Sequence, residues 1–310
     1  IRDVERSRGL GDVYKRQHQY TKELVSNQSK AKENNDQKSE SIINIKDLNV
    51  WYPIKKGLLR RTIDHVKAVN NVSFSLKIGE TIGIVGESGS GKSVTVHSLM
   101  GLVPQPPGKI EDGTAIFDGR DLLDAGKSML RALRGKRIAM IFQDPMTSLN
   151  PFLTIGEQII EPLIKNPNPD KKLARKDAKL QALSLLREVG IKNVDERYHS
   201  YPHEFSGGMR QRVAIAIALI NKPDLIIADE PTTALDVTTQ AQILYLTQKL
   251  CKENNTALIW ITHDLSVLSG LVDKISIMYN GKIVESGSHE NLIAKDGVYT
   301  NLCRLQLFSG

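Results

Sequence analysis

Gly86-Glu87-Ser88-Gly89-Ser90-Gly91-Lys92-Ser93 fits G-x-x-x-x-G-K-[ST], a glycine loop that wraps phosphate oxygens. Its three glycines let successive backbone N–H groups curl inward at positive φ, which a side chain resists. Lys92 would then reach the β- and γ-phosphates of a nucleotide, and Ser93 would ligate Mg2+. The bland alternative is a Gly/Ser-rich turn. The flanks argue against it: the apolar run Thr81-Ile82-Gly83-Ile84-Val85 precedes the loop and a helix-like stretch, Val94 to Leu102, follows it. Strand, loop, helix is the context the motif needs, and the helix start adds its positive dipole end.

A second element sharpens this chemistry. Asp224-Leu225-Ile226-Ile227-Ala228-Asp229-Glu230-Pro231 reads as a buried strand delivering two carboxylates at its C-terminal end, the usual ligand edge of a parallel sheet. Asp229 would hold the metal through water and Glu230 would polarise the attacking water. A solvated acidic pair is the plain alternative, disfavoured by the apolar run before it. His263, in Trp260-Ile261-Thr262-His263-Asp264, follows another buried strand and would emerge at the same edge to hold the γ-phosphate. A lone histidine is more often structural; its place beside the other two elements reverses that. Gln143 ends the run Ile138 to Phe142 and would offer its amide oxygen to Mg2+ and the nucleophilic water, a reading the spacing alone leaves evenly balanced.

Ser206-Gly207-Gly208, in Tyr201-Pro202-His203-Glu204-Phe205-Ser206-Gly207-Gly208-Met209-Arg210-Gln211-Arg212, opens the helical run Val213 to Ile220. A hydroxyl and free N–H groups at a helix start form a second anion site, unless this is a simple N-cap with glycine hinges. No second phosphate loop accompanies it, so its anion belongs to a nucleotide held by another subunit, and the working unit becomes a dimer.

The elements that position these residues read as follows. Ile42 to Tyr52 and Ala68 to Leu76 alternate like half-buried antiparallel strands around a basic loop, Lys55 to Lys67, and Ala115 to Gly119 adds a strand and turn. Thr154 to Lys165 and Lys171 to Val189 read as amphipathic helices within a helical insertion over about 144–222. Asp224 to Ala228 and Ala257 to Thr262 are strands buried on both faces, separated by the helical run Thr239 to Lys252. Ile275 to Ser286 reads as a hairpin around Asn280-Gly281, and Ser288 to Leu307 as one or two helices. The fold class is α/β, with one domain over 41–297 and a helical C-terminal tail over 298–310.

Composition sets the frame. The 310 residues are 40% apolar and 25% charged, those of an ordinary soluble protein with room for one or two domains. The net charge of +7 is spread over tail, loops and helices rather than gathered in a block, so it reads as solvated surface and no nucleic-acid partner is expected. Cys251 and Cys303 stand far apart without a metal-ligand pattern, as free thiols of a reducing compartment. No run reaches the roughly 20 apolar residues of a membrane span, so any membrane role needs another subunit. Residues 1–40 are polar and expected to be disordered; Ile1 to Gln17 begins without Met, resembles translated adaptor sequence and is excluded from the fold.

The ordered set Gly86 to Ser93, Gln143, Ser206-Gly207-Gly208, Asp224 to Glu230, Thr233-Ala234-Leu235-Asp236 and His263 resembles the ATP-binding subunit of an ABC transporter over essentially 42–290. The resemblance implies a P-loop core with an antiparallel β subdomain and an inserted helical subdomain. It further implies a head-to-tail dimer, of two copies or of this chain with a sister cassette, sandwiching two ATP molecules with Mg2+. Each ATP lies between the loop of one subunit, with Val94 at its helix start, and the Ser-Gly-Gly motif of the other. Tyr52 would stack on adenine, a role neighbouring Trp51 could equally fill, and Asp236 would contact the facing subunit. Glu230, His263, Lys92 and Gln143 carry hydrolysis; Ser93, Gln143 and Asp229 hold the metal.

Phe142 to Pro151, Tyr201 to Gly208 and Asp229 to Asp236 are most similar to the ATPase subunits of dipeptide, oligopeptide and nickel importers. That implies a peripheral protein on the cytoplasmic face of the membrane, with integral permease subunits and an extracytoplasmic substrate-binding protein. A groove near Gln143 to Pro151 would seat a short helix of the permease. Those proteins usually continue with a His-Pro-Tyr segment and a Cys-rich tail, whereas Gly297 to Arg304 looks more like the end of an exporter cassette. Peptide import is therefore weighed against export, and against a soluble ABC ATPase acting on DNA or ribosomes, which usually shows a coiled-coil insertion or a second cassette. The ends leave open half of a tandem protein.

Overall fold

The computed structural model describes residues 40–56, 61–144, 148–165, 173–232, 235, 237–265, 268 and 272–308. The tail, residues 57–60, Pro145-Met146-Thr147, Thr233, Ala234 and Asp236 lie outside them.

In chain order, β1 (Ser41–Lys56) and β2 (Arg61–Lys77) form a long antiparallel hairpin, and β3 (Thr81–Val85) leads through the glycine loop into α1 (Lys92–Leu99). β4 (Lys109–Phe117) returns to pair with β1, β5 (Arg120–Asp121) turns back on β4, and α2 (Lys127–Leu133) precedes β6 (Ile138–Ile141). Then come α3 (Ile155–Ile164), α4 (Arg175–Glu188), α5 (Val194–Arg197), a 3-10 turn at Pro202–Glu204 and α6 (Gly207–Leu219). β7 (Leu225–Asp229), α7 (Val237–Glu253), β8 (Ala257–Thr262), β9 (Lys274–Tyr279), β10 (Lys282–Gly287), α8 (His289–Ala294) and α9 (Val298–Phe308) complete the order.

Six strands form the central sheet in the order β10-β9-β3-β8-β7-β6, parallel except for the edge strand β10. The antiparallel sheet runs β2-β1-β4-β5. One face of the central sheet, with Ile82, Ile84, Leu225, Ile227, Ile259 and Ile261, packs in a core with Val96 and Leu99 of α1 and with Ile43, Leu76 and Phe117 of the antiparallel sheet. The alternate residues Ile226, Ala228, Leu258 and Trp260 join the other core, with α6, α7 and the helical arm. Strands buried on both faces explain the unbroken apolar runs, and each fully buried side chain contributes about 1.5–3 kcal/mol.

The expected basic loop is strand over its described residues: β1 continues to Lys56 and β2 begins at Arg61, with Lys55 opposite Thr62 and Lys56 opposite Arg61. The asparagine–glycine hairpin is present, with Asn280 and Gly281 both at positive φ between β9 and β10. Cys251 is buried and free, and burial pushes its thiol up to about 12; Cys303 is half-buried and free.

In the helical arm, Thr154 and Glu157 form a capping box that starts α3, and Ile155, Ile159, Ile160 and Leu163 bury its inner face against α4 and α6. Gly156 is required where α3 meets Tyr198, because a Cβ there would run into the tyrosine ring. Buried Gln158 accepts from Asn150 N and donates to the carbonyls of Asn150 and Leu153, each at 2.9 Å, tying the segment that follows Gln143 to α3.

Candidate nucleotide site

The glycine loop leaves β3 and is gripped by its own chain. Gly91, the N-cap of α1, has φ +100°, and a Cβ there would strike the Ala68 carbonyl of β2; one on Gly86 would strike the Met278 carbonyl of β9. The hairpin turn after β9 completes the grip: Gly281 N donates to Ser90 O at 3.0 Å and Asn70 N donates to Gly281 O at 2.8 Å. Glu87, Ser88 and Gly89 stay exposed, and Gly89, at φ +80°, has open space where a Cβ would stand. Val94 packs half-buried against the core. Three sides of the loop are therefore fixed by protein and its outer rim faces solvent.

Lys92 is 4% exposed and donates from Nζ to the carbonyls of Gly86 (2.7 Å) and Glu87 (2.9 Å), with Glu230 Oε1 3.6 Å away. Loss of hydration pushes its amine below the ordinary lysine value, a shift that the Glu230 and Asp229 carboxylates oppose. Ser93 Oγ donates to Asp229 Oδ1 at 2.8 Å, so the two expected metal groups already meet.

Asp229 closes β7, and Glu230, the next residue, sits at φ +45°, where a non-glycine residue pays on the order of 1 kcal/mol. The bond from Glu230 N to Ile261 O of β8, 3.1 Å, holds it there. Gln143, two residues past β6, donates from Nε2 to Glu230 Oε2 at 3.2 Å, and His263, just past β8, brings Nδ1 to 3.6 Å from the same oxygen. Lys92, Ser93, Gln143, Asp229, Glu230 and His263 thus meet at the C-terminal ends of β3, β6, β7 and β8, the side of a parallel sheet where ligands bind.

One neighbour of this cluster carries no motif. His97, one turn beyond Ser93 on α1, places Nε2 3.2 Å from Asp229 Oδ2. The available signal was the four-residue spacing, which puts residues 93 and 97 on one helix face.

Ser206 caps α6 by accepting from Met209 N at 3.4 Å and is exposed, with Gly207 and Gly208 half-buried. A Cβ on Gly207 would sit 3.4 Å from Leu235, and one on Gly208 3.4 Å from Thr239, so both lie close to the segment after β7. Tyr52, on β1 opposite Val66, rests its ring against Gly108 at the margin of the core, while Trp51 is covered by Lys67 at 4.8 Å from its ring centre. Asp236 lies outside the described residues.

No group of three or more His, Cys, Asp or Glu side chains among the described residues could hold a metal by itself. A cation between Ser93, Gln143 and Asp229 would need further oxygens, which a nucleotide's phosphates would supply, a ligand mix that suits Mg2+.

The family model described as ABC transporter matches residues 69–233, more than half of the chain. The oligopeptide transport ATP-binding protein OppD of Bacillus subtilis is 48% identical over 251 residues, 81% of this chain and 67% of that protein. The dipeptide transport ATP-binding protein DppD of the same organism is 47% identical over 253 residues, 82% of this chain and 72% of that one. Among solved structures, the ATP-binding cassette MJ0796, a dimer in a post-hydrolysis state with ADP and Pi, superposes with a TM-score of 0.67 at 29% identity, over 79% of this chain and 98% of that one. A glycine loop, two carboxylates and a histidine on one sheet edge, in a chain so related, lead to one conclusion: the protein belongs to the ABC transporter family, as an ATP-binding ATPase cassette.

Proposed function

We propose that this chain is the ATP-hydrolysing subunit of a peptide importer and that it works as one half of a cassette dimer. The observation that carries the hydrolytic part is the convergence of Gln143, Lys92 and His263 on the Glu230 carboxylate. The peptide assignment is supported by the relatives named for oligopeptide and dipeptide transport.

In this reading the loop from Gly86 to Ser93 with Val94 cradles the phosphates, Tyr52 stacks on adenine, and Ser93, Gln143 and Asp229 hold Mg2+. That ion, when bound, neutralises charge on the phosphoryl oxygens. Lys92 leaves the two loop carbonyls for the phosphates. Glu230 takes the proton of the attacking water from a backbone position that aims its carboxylate, and His263 donates to the γ-phosphate. Ser206, Gly207 and Gly208 close the opposite side of the partner's nucleotide, and Asp236 touches the facing subunit. The partner is a second copy or a sister cassette.

Residues 144–222 act as the arm that carries this closure to integral membrane subunits on the cytoplasmic face, supplied by an extracytoplasmic binding protein. No described helix is long and apolar enough to cross a membrane. The groove near Gln143 to Pro151 seats a short helix of the permease; Phe152, just after it, is 87% exposed, and a depression lined by Leu153, Glu157, Ile160, Ile164 and Arg175 opens on α3.

Glu230→Gln tests the reading. ATP binding and an ATP-locked dimer should persist while turnover falls about a thousandfold; near-normal turnover would show that the water is handled elsewhere.

A further inference from the structure

The Nε2 atom of His97 is buried, has no hydrogen-bond partner among the described residues, and lies 3.2 Å from Asp229 Oδ2 without the alignment of a hydrogen bond. The His97 side chain as a whole is a third exposed. The other carboxylate oxygen of Asp229 is occupied by Ser93 Oγ at 2.8 Å. Ser93 and His97, four residues apart on α1, therefore address the two oxygens of one buried carboxylate.

That arrangement has a consequence when a cation arrives. The Ser93 hydroxyl gives its hydrogen to Oδ1, so its lone pairs stay free for the metal and that bond can persist with the cation bound. That single hydrogen bond leaves the carboxylate able to swing about Oδ1 unless Oδ2 is held as well. We propose that His97 is a positioning residue for the divalent cation: with its proton on Nε2 it donates to Asp229 Oδ2, fixing the orientation of the carboxylate that would hold the ion with Ser93. Groups that orient metal-binding carboxylates commonly change metal affinity by about 10–100-fold when removed. The inference rests on the proposed Ser93–Asp229 cation site, and the test separates the two.

The full chain is loaded with a non-hydrolysable ATP analogue and titrated with Mn2+, bound ion being read from the loss of the free-Mn2+ electron paramagnetic resonance signal. His97→Leu should weaken Mn2+ binding about tenfold while leaving the metal-free affinity for the analogue unchanged. His97→Gln, which keeps an N–H donor at similar reach, should recover most of that loss. Unchanged Mn2+ affinity in His97→Leu overturns the proposal, and so does an equal loss in both variants, which would make the ring a packing element. Ser93→Ala reports on the underlying site: if it binds Mn2+ with the analogue as the parent does, the cation is held elsewhere and the site assignment itself falls.

Discussion

Two glycine-rich helix starts face opposite requirements. At α1 the chain crowds its own backbone: Gly91 is at φ +100° with the Ala68 carbonyl where a Cβ would go, and the hairpin turn bonds to Ser90 from the other side. At α6 nothing of the kind is present: Ser206 is exposed, and a Cβ on Gly207 would find only ordinary contact with Leu235 at 3.4 Å. The first loop is shaped by its own subunit, so its geometry is finished before a ligand arrives. The second leaves its hydroxyl open, as its proposed role toward a partner's nucleotide requires. An anion site needs N–H groups and an open approach; the first loop keeps its approach at the rim, whereas at α6 the capping hydroxyl itself is open.

The contrast can be broken in order of size. Gly91→Ala should be the most damaging: a side chain in the left-handed region against a backbone oxygen costs about 1–3 kcal/mol, and the displaced loop should lose ATP affinity at least a hundredfold, read by thermal unfolding and nucleotide titration. Ser206→Ala should cost only about 1 kcal/mol through its lost cap. In dimers mixing mutant and parent subunits, however, hydrolysis should fall at least tenfold at the site whose glycine loop belongs to the parent. A defect at the mutant's own loop would mean that the two starts do not face each other across subunits. Gly207→Ala should be mildest in stability, within about 0.5 kcal/mol, since its backbone is ordinary and alanine favours helix. If Gly207→Ala unfolds the protein as readily as Gly91→Ala does, the distinction between the two glycines disappears.

Much of the first region was legible in the sequence because its signals are local. The apolar runs of β3, β7 and β8 are buried on both faces, and each is followed at once by the residues it delivers, Gly86, Asp229 and His263. What escaped depends on distant pairing. The stretch from Thr62 to Lys67 is exposed and charged, so it lacks the alternation that burial imposes, and it reads as loop although it pairs with β1. The bond from Gly281 to Ser90 joins residues almost 200 positions apart and leaves no local trace. His97 had a readable spacing to Ser93, but a histidine between Val96 and Ser98 looks like helix surface until β7 is placed beside it.

The central claim is that a single copy holds only part of each hydrolytic site. The most direct measurement is ATPase rate per chain against protein concentration, with mass measured at every dilution. The rate should fall in proportion to the dimer fraction and vanish when only monomer remains. A constant rate per chain in a strictly monomeric preparation would contradict it.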